Sequence, residues 1–156
     1  MLTDQLCCQA KEAGSFLASI AKTHCKSGKK LAYIAGGETV VNITGHGKGG
    51  RNQEIALSAA EGIKGMSNAA VFSIGSDGTD GPTDAAGGYS DGDTAGVLKN
   101  KGIDIFEVLK NNDAYNALKL TEGLIITGPT GTNVNDVSVL LISCLLYTSP
   151  SPRDRG

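Results

Sequence analysis

This sequence of 156 residues has a small net charge and no long apolar run. The chain carries 14 Lys and Arg against 16 Asp and Glu, a formal charge of -2, and it has no basic cluster. So small a charge argues against nucleic acid or an anionic membrane surface as the main partner. The longest apolar run, 137–142, is far too short to cross a bilayer.

The four cysteines lack the spacing of a metal site or of a disulfide framework. No C-x-x-C occurs, and Cys7 and Cys8 are adjacent. We therefore expect free thiols in a reducing compartment. Residues 1–5 show no charged start followed by an apolar stretch, so no signal peptide is predicted and the cytoplasm is the expected location.

Apolar periodicity predicts alternating helices and strands. Helices are predicted at 3–25, 51–63, 94–101, 105–110 and 113–120, and strands at 31–35, 39–44, 69–74, 124–127 and 137–142. The first two strands are joined by a Gly-Gly-Glu turn, and the strand at 69–74 is apolar enough for a sheet covered on both faces. The pattern predicts an α/β fold, a three-layer α/β/α arrangement with a mostly parallel or mixed sheet.

We divide the chain into an N-terminal helix at 1–28, an α/β domain at 29–143 and a tail at 144–156. The tail carries Pro150 and Pro152 among serines and arginines, and it looks like translated sequencing-adapter read-through. A genuine disordered tail is the alternative. Both interpretations exclude the tail from the fold.

Three polar loops each follow a predicted strand, which is where ligands bind in open α/β sheets. In the first, 45–52, glycine amides and a helix N-terminus would receive a phosphate or carboxylate, with charge from Lys48 and Arg51. Residues 45–50 also match the dinucleotide-binding pattern G-x-G-x-x-G. This pattern needs an acidic residue further along the chain, and the candidate, Asp77, lies farther from the glycines than the pattern places it. A glycine-rich connection without a ligand is the structural alternative.

The second loop, 75–93, holds five aspartates within 17 residues, and no Lys or Arg occurs between Lys64 and Lys99. Carboxylates so close repel one another unless a cation or basic groups offset them, and Mg²⁺ binds through one or two carboxylates plus substrate phosphates. Asp-Gly pairs that form turns and helix caps are the alternative.

The third loop, 127–136, is rich in hydroxyls and amides and has one charge, at Asp136. These groups are suited to hydrogen-bonding a polar ligand such as a sugar acid or a nucleotide. A polar turn between two strands is the alternative.

Five motifs, taken together and in this order, resemble one family. They are Gly36-Gly-Glu-Thr39, Gly47-Lys-Gly-Gly-Arg-Asn-Gln-Glu54, Ser76-Asp-Gly-Thr-Asp-Gly-Pro-Thr-Asp-Ala-Ala-Gly87, Asn111-Asn-Asp-Ala-Tyr115 and Thr127-Gly-Pro-Thr-Gly-Thr-Asn-Val-Asn-Asp136. The segment from about 31 to 142 is similar to the C-terminal MOFRL domain of bacterial-type glycerate kinases, many of which carry the older name hydroxypyruvate reductase.

The resemblance implies phosphorylation of D-glycerate by ATP with Mg²⁺, usually at the 2-hydroxyl, in a cleft between two α/β domains. It implies a larger N-terminal domain, with its own catalytic lysine, as the missing partner. We therefore expect this chain to be a fragment that is inactive alone. At the position of Lys48 the family commonly has arginine. A lysine there keeps the positive charge but cannot donate the two parallel hydrogen bonds of a guanidinium.

The site residues that the resemblance implies fall into two groups. Arg51 is expected to stabilise transition-state charge, with Glu38 as its structural partner, and Asp77 and Asp80 are the other catalytic candidates and the candidate metal ligands. The candidates for binding phosphate or substrate are Gly47, Lys48, Gly49, Gly50, Asn52, Thr79, Asn133, Asn135 and Asp136. An NAD(P)-dependent hydroxypyruvate reductase and a non-catalytic fragment that binds an anion or a metal are the alternative functions.

Overall fold

A computed structural model of the chain describes residues 1–144. The strands are β1 (Thr3–Leu6), β2 (Leu31–Gly37), β3 (Ala69–Gly75), β4 (Gly87–Asp91), β5 (Leu124–Ile125) and β6 (Asp136–Ile142). The helices are α1 (Ala10–His24), α2 (Arg51–Gly62), α3 (Thr94–Asn100), α4 (Ile105–Lys110) and α5 (Ala114–Leu120). Of the tail predicted at 144–156, all but the first residue lies outside the described residues.

The six strands form one mixed sheet in the order β1-β2-β6-β3-β4-β5. Only β1 and β2 pair in parallel, and the other neighbouring pairs are antiparallel. The predicted α/β class with a mixed sheet is confirmed. Since β6 runs antiparallel between β2 and β3, the ends of these two strands lie beside the start of β6.

Helix α2 is the central element of the core. Nine of its twelve residues are buried, because α1, α4 and α5 surround it while its remaining side faces the sheet. Ile55 and Ala59 belong to one apolar cluster with α1, β3 and β6, and Ala56 and Ala60 belong to a second with α3, α4 and α5. A helix enclosed in this way holds its first turn, where the candidate site lies, in a fixed position.

All five helices of residues 1–144 pack on the same face of the sheet, so this part of the chain supplies two of the three predicted layers. On the other face, the alternate residues of β3, Ala70, Phe72 and Ile74, stay partly exposed, as do Ile34 and Leu141. The apolar composition of β3 indicated cover on both faces, and the described residues cover one. No helix in this part of the chain is long and apolar enough to cross a membrane.

Three predicted elements differ from the structure. The helix predicted at 3–25 begins only at Ala10, because residues 3–6 add β1 to the edge of the sheet beside β2. The strand predicted at 39–44 is absent apart from one bridge between Val40 and Gln9. The loop predicted at 75–93 contains β4, which the sequence hides because it begins with two glycines.

Candidate functional site

Three chain segments meet at one end of the central strands. Asp136, the first residue of β6, pairs with Gly37 at the end of β2 and with Gly75 at the end of β3. Glu38 follows β2 directly, and α2 begins at Arg51. The fold therefore places two carboxylates beside one guanidinium at the start of α2.

Arg51 binds both of these carboxylates. Its Nε and Nη2 donate to the two oxygens of Asp136, the second over 3.1 Å, and its Nη1 lies 3.2 Å from Glu38 Oε1. The hydrogen bonds that Arg51 donates to Asp136 raise the pKa of the guanidinium above its ordinary value, although burial opposes this. Asp136 is 5% exposed, whereas the Arg51 side chain is 35% exposed. The bidentate fork thus fixes the guanidinium while leaving part of it accessible.

A carboxylate from the acidic loop caps the first turn of α2. Asp80 Oδ1 accepts hydrogen bonds from the backbone and side-chain amides of Asn52, and its Oδ2 accepts one from the Gln53 N–H. Asp80 is 2% exposed, and burial raises its pKa to about 6 although these hydrogen bonds lower it. The amides predicted to receive an anionic ligand are therefore bound by the protein's own aspartate.

A buried polar network connects this cap to the sheet. Ser73 on β3 donates to Asn52 Oδ1 over 2.6 Å, and its hydroxyl lies 2.7 Å from that of Ser138 on β6. Asn52 is fully buried. Its position therefore favours holding Asp80 and the start of α2 in place over touching a ligand.

The glycine-rich loop at 45–50 is held by a turn at 111–113. Asn112, which has a φ of 56°, accepts hydrogen bonds at Oδ1 from the amides of Thr44 and Gly45. Two further loop amides donate to the side chains of the neighbouring turn residues. Sequence reasoning quoted this Asn-Asn-Asp turn as part of a motif but assigned it no role, because only the tertiary fold brings it to the loop.

A pocket of about 590 Å³ opens between this loop, the end of β2 and the start of α2. Three predicted binding residues, Gly47, Gly49 and Gly50, line it together with Arg51. Val40, Val41 and Ile43 supply an apolar part of the wall, in the segment that was predicted to be a strand. The pocket thus combines one fixed cation with a largely apolar lining, a usual composition for a small-molecule site.

Glu54 is a pocket residue that sequence reasoning did not single out. It lies three residues after Arg51 on α2, lines the same pocket, and is 4% exposed. Burial raises its pKa to about 7, although a hydrogen bond from Asn112 and the charge of Lys11 lower it. The spacing of an acid three residues after the arginine would have indicated a shared helix face.

Comparison with known proteins now adds to this geometry. The model of the MOFRL family matches residues 31–136. The chain belongs to the MOFRL family. The matched segment runs from β2 to the first residue of β6, and it contains Arg51, both carboxylates that bind it and the whole pocket.

Relatives of this MOFRL chain include proteins named as glycerate kinases and proteins named as hydroxypyruvate reductases. The D-glycerate 2-kinase of Thermotoga maritima is 56% identical over 146 residues, which cover 91% of this chain and 35% of the relative. A relative from Agrobacterium vitis, named as a hydroxypyruvate reductase, is 38% identical over 148 residues, covering 91% of this chain and 38% of the relative. The chain thus spans about a third of the length of the curated relatives it matches.

The fold also agrees with a solved structure. The crystal structure of glycerate kinase from Thermotoga maritima, at 2.70 Å resolution, superposes with a TM-score of 0.86 and is 56% identical. The superposition covers 90% of this chain and 35% of that one.

The remaining predicted site residues of the MOFRL domain do not line the pocket, although the charge of Arg51 still lowers the pKa of Asp77. Lys48 stacks its ammonium 4.1 Å from the ring centroid of Tyr115, a cation–π contact. Asp77 Oδ1 accepts hydrogen bonds from the backbone and hydroxyl of Thr79, which hold its pKa below the ordinary value. Asn133 and Asn135 are exposed and bonded to each other, near the end of the third loop.

The two aspartates proposed as metal ligands do not form a common site. Asp77 lies on the loop surface with Thr79, while both carboxylate oxygens of Asp80 are engaged at the start of α2. Within residues 1–144, no three His, Cys, Asp or Glu side chains are grouped so that they could hold a metal ion. The donor set of residues 1–144 therefore does not fit a resident Mg²⁺.

Replacing Glu54 by glutamine should make the chain more stable at high pH. A carboxyl whose pKa rises from 4.5 to about 7 on folding binds its proton more tightly in the folded state. The wild type therefore loses stability as pH rises through that window, whereas the neutral glutamine does not. Urea unfolding should show nearly equal stability at about pH 4 and an advantage of about 3 kcal/mol for Glu54→Gln at pH 8.

The matched control is Glu61→Gln, the same change at an exposed position of α2. It should leave the pH dependence of unfolding as in the wild type. An identical pH dependence for Glu54→Gln and the wild type would contradict the raised pKa.

Proposed function

We propose that this chain is one domain of an ATP-dependent glycerate kinase. The observation that carries the proposal is Arg51, which is fixed by Asp136 and Glu38 and remains accessible at a small-molecule pocket. Phosphoryl transfer needs positive charge around the moving group and accurate positioning, rather than a covalent nucleophile. The similarity to the Thermotoga maritima kinase supports the substrate, D-glycerate.

The roles of the site residues follow from their positions. Arg51 stabilises the charge on the transferred phosphoryl group, and Asp136 and Glu38 hold its guanidinium in place. Gly47, Gly49 and Gly50 line the pocket, and a Cβ at Gly47 or Gly50 would collide with Asp113 or Asp80, so glycine is needed there for the loop to pack in this position. Asp80 acts by positioning the start of α2, and so does Asn52 through its contacts with Asp80 and Ser73.

The rest of the kinase supplies what this chain lacks. Because the relatives are about three times as long as the segment they share with it, we place ATP and part of the glycerate site on a second domain. Mg²⁺ enters only as the ion that accompanies the nucleotide phosphates. We propose the 2-hydroxyl as the acceptor, no turnover by this chain alone, and a cytoplasmic location suited to its free cysteines.

A complementation assay tests the proposal. In a chimera, this chain replaces the matching 35% of the Thermotoga maritima kinase, and ATP-dependent phosphorylation of D-glycerate is measured. We expect turnover by the chimera and none by this chain alone. An inactive chimera that is folded and binds ATP would contradict the kinase function and leave a non-catalytic anion-binding domain.

The geometry gives little support to the alternative, an NAD(P)-dependent hydroxypyruvate reductase. Residues 45–50 match the dinucleotide pattern, yet Gly45 and Gly47 lie so close to the turn at 111–113 that a side chain at either would collide with it. The helix start that should receive the pyrophosphate is capped by Asp80. NADH-linked reduction of hydroxypyruvate by the chimera is the measurement that would restore this function.

A further inference from the structure

Glu54 is a buried carboxyl with one oxygen left for a ligand. It lies one helical turn after Arg51, and both side chains line the same pocket. Asn112 Nδ2 donates to Glu54 Oε1 over 3.4 Å. Within residues 1–144, no protein group hydrogen-bonds to Oε2, which leaves this oxygen of a pocket-lining side chain without a partner.

The surroundings of Glu54 make its carboxylate a good proton acceptor. Two charged groups shift its pKa in opposite directions: Lys11 from α1 lowers it and Asp80 from the acidic loop raises it, while Arg51 lines the same pocket. The residue is 4% exposed, so few water molecules solvate the charge, and a poorly solvated carboxylate has a raised affinity for protons. A general base for chemistry near neutral pH needs this property.

A second buried polar group in the pocket wall lacks a partner. Thr39 lines the pocket and is 4% exposed, and no group in residues 1–144 hydrogen-bonds to its Oγ1. Buried hydroxyls are nearly always hydrogen-bonded in folded proteins. An unsatisfied hydroxyl in a pocket that Glu54 also lines favours a polar ligand there.

The spacing of Arg51 and Glu54 suits a hydroxyl and a phosphoryl group side by side. Residues three apart on a helix have Cβ atoms about 5–6 Å apart. An acceptor hydroxyl in reacting position lies about 3–3.5 Å from phosphorus. One side chain can therefore meet the oxygens of the phosphoryl group while the other accepts the hydrogen bond of the attacking hydroxyl.

We propose that Glu54 is the general base of this site and accepts the proton of the substrate hydroxyl that becomes phosphorylated. The new bond joins this oxygen to the γ-phosphorus of ATP, the bond from the γ-phosphorus to the bridging oxygen breaks, and ADP leaves with that electron pair. The proton passes to Glu54 Oε2, and Asn112 holds the carboxyl in the required orientation. This inference rests on the proposed kinase function.

Direct binding to the chimera, measured without ATP, tests the contact independently of turnover. The probes are D-glycerate and propionate, which share the carboxylate but differ in hydroxyl groups. The wild type should bind D-glycerate at least about tenfold more tightly, because a site built around a polar group discriminates against the analogue that leaves it unpaired. Glu54→Leu should reduce this preference to below about twofold, while Glu61→Gln should keep it.

Turnover of the chimera then tests the proton transfer. Glu54→Gln keeps the shape and the contact with Asn112, so KM should stay within about threefold while kcat falls by about 10²–10⁴. The wild-type kcat/KM should increase with pH with an apparent pKa near 7, and kcat/KM of the variant should not show this increase. Loss of the hydroxyl preference in Glu54→Leu together with loss of kcat in Glu54→Gln supports the proposal.

Three results would overturn it, and they differ from a failure of the kinase function. They are a wild type without preference for D-glycerate, a Glu54→Leu variant that keeps the preference, and a Glu54→Gln chimera with wild-type kcat. A different result is a wild-type chimera that is inactive but has a hydroxyl preference that depends on Glu54. That result would overturn the phosphoryl transfer and the role of Glu54 as its base, and only the contact between Glu54 and the hydroxyl would remain.

Discussion

Arg51→Ala should lower kcat of the chimeric kinase by about 10²–10³-fold. The guanidinium is held by Asp136 and Glu38 before any substrate binds, so its donors need no reorganisation when charge develops on the phosphoryl group. A preorganised cation of this kind stabilises the transition state more than it stabilises the bound substrate. Steady-state kinetics should therefore show a fall in kcat with a smaller change in KM.

The alanine variant also leaves Asp136 buried without its partner, which lowers stability. The matched variant is Arg51→Lys, which keeps a positive charge beside Asp136 but loses the bidentate fork. We expect it to unfold at nearly the wild-type urea concentration and still to lose about 10²-fold in kcat. A lysine variant with wild-type kcat would show that charge alone suffices, and an alanine variant with wild-type kcat would remove Arg51 from the mechanism.

Gly50→Ala should destabilise the chain by about 3 kcal/mol, a large effect for the addition of one methyl group. Gly50 has φ -138° and ψ 175°, which alanine adopts without strain, so the cost is steric. A Cβ at this position would lie 2.5 Å from Asp80 Oδ1. Asp80 would have to move, and the first turn of α2 would lose its cap. Urea unfolding followed by circular dichroism measures the loss.

Gly96→Ala is the matched control, since it adds the same methyl group to a glycine of α3. Apart from its chain neighbours and the backbone of its own helix, no atom lies within 4 Å of the position its Cβ would take. We expect it to raise the free energy of unfolding by about 0.5–1 kcal/mol, because alanine favours a helix interior over glycine. Equal effects at Gly50 and Gly96 would contradict the close approach of Asp80 to the loop.

The central helix and the main strands were predictable because their signal is local. Apolar residues recur along α2 at helical spacing, and β3 and β6 are short apolar runs, so each element is written into its own segment. By contrast, β1 is polar and β4 begins with two glycines, and each forms because a neighbouring strand offers hydrogen bonds. Strand propensity depends on such neighbours, so it is poorly visible in sequence.

The candidate site likewise contains residues that the sequence indicated and residues whose role only the fold shows. Sequence motifs singled out Arg51, the glycine-rich loop and Asp136, and the structure brings the arginine and the aspartate together. They assigned Asp80 to metal or catalysis, whereas in the fold it caps α2. They gave no role to Glu54, whose raised pKa depends on burial by distant segments.

The sequence by itself determined the α/β class, the principal helices and strands, and membership of the MOFRL family, because periodicity and motif order are properties of the chain alone. Only the tertiary structure decided which polar residues meet. Pairing of β6 between β2 and β3 places Asp136 and Glu38 beside Arg51. Packing of the 111–113 turn brings Asn112 to Glu54, 58 positions away in the chain. Contacts over such separations depend on strand register and helix packing, which no local pattern encodes.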